Sequence, residues 1–102
     1  MDIKSLEQAM HEFVESKGWY RDDSPKQQTP KNLAVSLVLE ASEVLEHFQW
    51  QDDVVDKEAF ADELADVTLY LLQLASISEV DLGEAVLRKL DKNYHRKWDE
   101  FG

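Results

Sequence analysis

Two pairs of acids stand out in the chain. Glu40-x-x-Glu43 lies in LVLEASEVLEHFQW (37–50), and Glu63-x-x-Asp66 in EAFADELADVTLYLLQLA (58–75), with 19 residues between the motifs. Both stretches have the apolar period of a helix. At about 100° per residue from Leu37, the residues Leu33, Ala34, Ala41, Val44, Leu45 and Phe48 form a stripe, and Glu40 and Glu43 fall near 300° and 240° on one flank. From Phe60, the stripe is Leu64, Val67, Leu71 and Leu74, and Glu63 and Asp66 fall near the same two angles. A lone ExxE is usually a solvated helix face. The same flank used twice predicts that the helices pack antiparallel and that four carboxylates converge at the edge of their seam.

Converging anions repel, and burial raises the cost. A cation is therefore expected among them. The donors are all oxygen, and the chain has no cysteine, which suits a hard ion. Mg²⁺ is the expected one, with Mn²⁺ the alternative, because Mg²⁺ takes one or two carboxylates and fills its shell with water and phosphate oxygens. A thiolate zinc site is excluded. A di-iron carboxylate bundle needs Glu-x-x-His, but His11, His47 and His95 are preceded three residues earlier by Gln8, Val44 and Lys92.

Other residues fit a phosphorylated ligand. Lys89, Asn93 and Arg96 share one helix face, with Lys92 and Lys97 nearby, and cations with an amide donor suit terminal phosphates. Trp19, Trp50 and Tyr70 are candidates to stack on a base or pack on a sugar.

Four helices would carry these groups: 2–17, ending at Gly18; about 30–48, opened by Thr29 as cap and Pro30 as first residue; about 57–77, capped by Asp56; and one opened by Asp81-Leu82-Gly83-Glu84 and reaching about Trp98. No stretch alternates as a strand does. The expected architecture is all-α, one domain over 1–102, a four-helix bundle-like protomer. Val35 and Leu39, and Leu69 and Leu72, fall off the two stripes, and helices apolar on two sides are buried on two sides. A homo-oligomer follows, a tetramer in preference to a dimer, with sites at or near subunit contacts.

The net charge of −11 argues against a nucleic-acid polymer as partner. No run of apolar residues is long enough to enter a membrane, and a cytoplasmic location is expected.

These motifs resemble the MazG-like nucleotide pyrophosphohydrolases of the all-α NTP pyrophosphatase superfamily, most of all the small dCTP-pyrophosphatase branch. The likeness runs from about Phe13 to Lys97. It includes TPKNL (29–33), FQW (48–50), DELADVTLYL (62–71) and DLGEAVLRKLDKN (81–93). It implies hydrolysis of a nucleoside triphosphate, dCTP-like, to the monophosphate and pyrophosphate with Mg²⁺. Glu40, Glu43, Glu63 and Asp66 would be metal ligands, and Glu40 or Glu43 would activate the attacking water. Trp19, Trp50 and Tyr70 match base or sugar contacts, and Lys89 and Asn93 phosphate contacts. The chain departs from that branch where Gln28-Thr29 replaces a histidine before the proline of the second helix, where Met10 and His11 stand near the place of a first-helix histidine, and at Lys97-Trp98. The alternative from another class is a non-catalytic helical module with an acidic flank for a basic partner.

Overall fold

The computed structural model describes residues 1–96. It contains four helices, α1 (Ile3–Ser16), α2 (Pro30–Glu46), α3 (Lys57–Ile77) and α4 (Leu82–Tyr94), and no strand among the described residues. The all-α expectation holds. Local chemistry sets the boundaries. Asp2, Thr29, Asp56 and Asp81 each cap a helix by accepting the backbone N–H three residues on, which satisfies a donor the helix itself leaves free. Pro30 opens α2, where its missing N–H costs nothing. The fourth helix ends at Tyr94, short of the expected Trp98, which lies with Lys97 outside the described residues.

Two helices end in the same way. After α1, Gly18 takes φ +74°, Gly18 N–H donates to Glu15 O (2.9 Å) and Trp19 N–H to Val14 O (3.3 Å). This paired reversal needs a left-handed residue. It turns Trp19 back onto its own helix, where it packs against the cluster of Met10, Val14 and Leu72. After α3 the left-handed position is Glu79, φ 59°, with Glu79 N–H to Ser76 O (3.1 Å) and Val80 N–H to Ala75 O (2.8 Å).

α3 is the central helix. α2 packs along one side of it and α1 along another, while α4 touches it only lightly. This placement corrects the expected stripes. Leu72 is buried, at 2% exposure, against Met10 and Val14 of α1, although its angle put it on an outer face. Leu64 and Leu71 stay partly open, and Leu45 is 70% exposed. The stripe on α3 was drawn for a single partner; with two, the buried arc widens toward α1 and takes in Leu72. Leu45 lies in the last turn of α2 at the rim of its stripe, and α4 does not reach over it. Leu33 is the most enclosed side chain of the α2 contact, and its burial contributes about 2 kcal/mol.

α4 contributes no buried residue. Its apolar side chains Val86, Leu87, Leu90 and Tyr94 are open, as are Val35, Val38 and Leu39 on the outer face of α2. The accessible surface is 8048 Å², against about 5,900 Å² for a compact monomer of this mass. The radius of gyration is 16.4 Å, against about 13 Å for a compact chain of this length. The protomer is a four-helix, bundle-like unit in which α1, α2 and α3 make the packed layer and α4 lies outward.

Candidate functional site

Helical spacing puts Asn32, Ser36, Glu40 and Glu43 on one face of α2, and Gln73, Tyr70, Asp66 and Glu63 on one face of α3. The helices run antiparallel, so the two series meet in opposite order. Their polar end is the acid cluster, and their other end lines a cavity.

In the cluster, Glu40, Glu43 and Glu63 each offer a carboxylate oxygen, and these atoms lie within 4.8 Å of one another. Glu40 and Glu63 each have an oxygen sealed from solvent with no hydrogen-bond donor. None of the acidic motif residues has an ion pair among the described residues. The electrostatic cost is evident. Glu40 is pushed up to about 7, first by burial and then by Glu43, with Asp66 and Glu63 adding to it. Glu63 is also raised, chiefly by Glu43 at hydrogen-bonding range. His47 offsets part of this at Glu63, from a ring held edge-on to Phe60 at 5.3 Å. Phe48 meets the same ring edge-on at 5.7 Å, which closes the α2–α3 seam at this end. Of the four expected carboxylates, three converge. Asp66 is not within the same group, but its charge is felt by Glu40 and Glu63, and it lines the adjoining cavity.

The donor set fits a divalent ion. It is oxygen only, two of its atoms are sealed without a donor, and none of its members forms an ion pair among the described residues. Glu43, the more exposed of the three, leaves an approach from solvent.

The cavity has a volume of about 770 Å³, within the range of small-ligand sites. Trp19 and Tyr70, expected to contact base or sugar, line it together with Asp66. Phe13 meets Trp19 edge-on at 5.7 Å, and the Lys26 ammonium lies 5.1 Å from its ring centre, worth about 0.5–1 kcal/mol at such an exposed site. Trp50 is 89% exposed and lines no part of this cavity. Neither do Lys89, Asn93 and Arg96 of α4.

Sequence reasoning passed over Asn32, Ser36 and Gln73, and also Lys26 and Lys31, and met Gln28 only as a departure from the histidine of similar proteins; all of them line the cavity. A signal existed for some of them. Ser36 falls near 260° on α2 and Gln73 near 220° on α3, on the same flank as the acids. Gln73 is the only buried polar residue among the described residues, at 3% exposure. His11 is not in the cavity lining; it bonds the Tyr20 hydroxyl through Nδ1 and Ser76 Oγ through Nε2 at 2.7 Å.

An antiparallel helix pair with an acid cluster beside a ligand-sized cavity defines an all-α protein built around an anionic site. The chain belongs to the MazG-like family, which it matches over residues 35–101. It is 32% identical to mouse dCTP pyrophosphatase 1 and 33% to the human protein, each over 92% of this chain and 58% of the relative. It thus spans a little over half the length of these curated relatives. A pyrophosphatase from Archaeoglobus fulgidus, solved by crystallography, superposes with a TM-score of 0.77 at 40% identity, covering 90% of this chain and 88% of that one.

Proposed function

We propose that this chain is a nucleoside triphosphate pyrophosphohydrolase that requires a divalent ion, Mg²⁺ in preference to Mn²⁺, and takes a deoxynucleotide such as dCTP. The observation that carries the proposal is the cluster of Glu40, Glu43 and Glu63, in which burial and neighbouring carboxylates raise the pKa of Glu40 and Glu63 and no ion pair forms among the described residues, beside a cavity lined by Trp19, Tyr70 and Asp66. The names of the similar proteins support the same reading.

Glu40, Glu43, Glu63 and Asp66 would hold the ion. When bound, it neutralises phosphate oxygens and lowers the pKa of water at neutral pH. Water attacks the α-phosphorus, its oxygen forms the new P–O bond, and the bond to the α–β bridging oxygen breaks to release pyrophosphate. Glu43, the open member of the cluster, accepts the water's proton, with Glu40 the alternative. Trp19 and Tyr70 hold base and sugar in the cavity and keep bulk water from them. Lys89, Asn93 and Arg96 act on the β and γ phosphates and Trp50 on the base, in a site completed at or near subunit contacts. The function therefore includes a homo-oligomer, a tetramer in preference to a dimer.

The test is pyrophosphate release from each canonical dNTP with Mg²⁺, with Glu43→Gln as control. Turnover of at least one dNTP, lost in the variant, is expected. A folded sample that releases pyrophosphate from none of them overturns the proposal. Thermal melts with Mg²⁺ and a non-hydrolysable dNTP should rise jointly; indifference to both would favour a non-catalytic module.

A further inference from the structure

Gln73 is a buried amide whose orientation is dictated by a backbone carbonyl two residues outside the cavity's amide pair. The chain of constraint begins at Lys26 O, which can only accept. Gln28 lies 2.7 Å from it through its side-chain nitrogen. The opposite orientation would set two acceptors against each other, so Gln28 must point its NH₂ there and its Oε1 inward. That Oε1 accepts from the Gln73 side-chain nitrogen at 2.8 Å. The Gln73 NH₂ therefore faces Gln28, and its second hydrogen goes to the Tyr20 hydroxyl at 3.3 Å. Both donors of Gln73 are used. Its Oε1 receives no hydrogen bond from the described residues and is not sealed off. Gln73 and Gln28 both line the cavity.

We infer that Gln73 is a specificity-determining residue: it offers the cavity a fixed acceptor, and so selects a base whose outer edge carries an exocyclic amino group over one carrying a keto oxygen. The inference rests on the reading of this cavity as a nucleotide site. The position agrees with it. Gln73 lies seven residues from Asp66 along α3, about 10 Å of helix rise, at the end away from the acids that would take the phosphates. The part of a base farthest from its sugar and phosphates is the 4-position of a pyrimidine or the 6-position of a purine. There an amino group donates to Oε1, whereas a keto oxygen meets a like acceptor that cannot turn away. An amide free to flip would tolerate both; this one is locked from behind. A site built to hydrogen-bond one substituent rejects the other because a polar atom is left unpaired.

The experiment is calorimetric titration of the full chain with dCMP and with dUMP in Mg²⁺, which requires no turnover and so stands apart from the pyrophosphate assay. dCMP should bind roughly tenfold or more tightly than dUMP. Gln28→Met removes the acceptor that fixes Gln73, and the ratio should fall toward unity. Gln73→Met should bind both alike if it folds; Gln28→Met decides the matter if it does not. Equal binding of dCMP and dUMP by the unaltered protein, an undiminished ratio in Gln28→Met, or no binding of either nucleotide overturns the inference. Binding with the expected ratio but no pyrophosphate release would overturn the catalytic reading alone.

Discussion

Glu40 on α2 and Glu63 on α3 face one another across the seam, each with a carboxylate oxygen closed off from water and without a donor. Together with Glu43 they bring anionic oxygens within 4.8 Å. Neither like charges at this range nor sealed acceptors favour the fold. Glu40→Gln should therefore raise the melting temperature of the metal-free protein while weakening Mg²⁺ binding. Removing an outer-sphere partner commonly costs ten- to a hundredfold in affinity or activity, and a direct ligand should cost at least about a hundredfold in pyrophosphate release. Paired melts and assays check both directions; a variant that is less stable without metal and as active with it would contradict the assignment.

The same strain predicts a pH dependence. Glu40 titrates near 7 in the folded chain against an ordinary value of 4.5. The native state then holds more protons than the unfolded one between these values, so stability falls as pH rises through this window. Glu63 shifts in the same direction. The metal-free protein should be more stable at pH 5 than at pH 7.5, and Mg²⁺ should stabilise it more at the higher pH because proton and ion compete for the same oxygens. Melts across this range, compared with Glu40→Gln, isolate the contribution. A profile unchanged by that substitution would refute it.

How much of this could be read from sequence differs by element. The caps at Thr29, Asp56 and Asp81 were legible because one side chain and one backbone donor decide them. The ExxE and ExxD flanks were legible because both sit at one angle to an apolar stripe. Leu72 and Gln73 were not, because their burial depends on α1 crossing α3, and a single-helix projection knows nothing of a second neighbour. Nor could spacing show that α4 lies outward, since its stripe of Val86, Leu87, Leu90 and Tyr94 looks the same whether a protomer or a partner covers it. Gln28 carried no periodic signal at all; its role comes from a loop carbonyl at Lys26.

Glu79 was equally hidden. It holds the left-handed position that ends α3, φ 59°, where glycine is the usual residue. A non-glycine residue there costs about 1 kcal/mol or more, partly offset by glycine's greater loss of freedom on folding. Glu79→Gly should leave stability unchanged or raise it by up to about 1 kcal/mol, and Glu79→Val should lower it, β-branching being poorly tolerated at positive φ. Denaturant unfolding of both variants checks this; a stabilising valine would mean that the turn does not form as described.

Assembly provides the last prediction. The faces of α2 (Val35, Val38 and Leu39) and α4 (Val86, Leu87 and Leu90) expose apolar side chains of the kind that interfaces cover, and the protomer exposes some 2,000 Å² more than a compact chain of its mass. That excess matches what stable interfaces remove from solvent. Sedimentation should find a homo-oligomer, a tetramer in preference to a dimer, and Val38→Asp with Leu39→Asp should reduce its mass. Trp50 joins this to chemistry. It is 89% exposed in the protomer, so Trp50→Ala should not affect the melting of a dissociated chain. In the assembled protein the same substitution should weaken nucleotide binding if the indole enters the cavity of a neighbouring copy, since it does not line that of its own protomer. A monomer in solution that binds nucleotide as well with alanine at position 50 would remove both the oligomer and the role of Trp50.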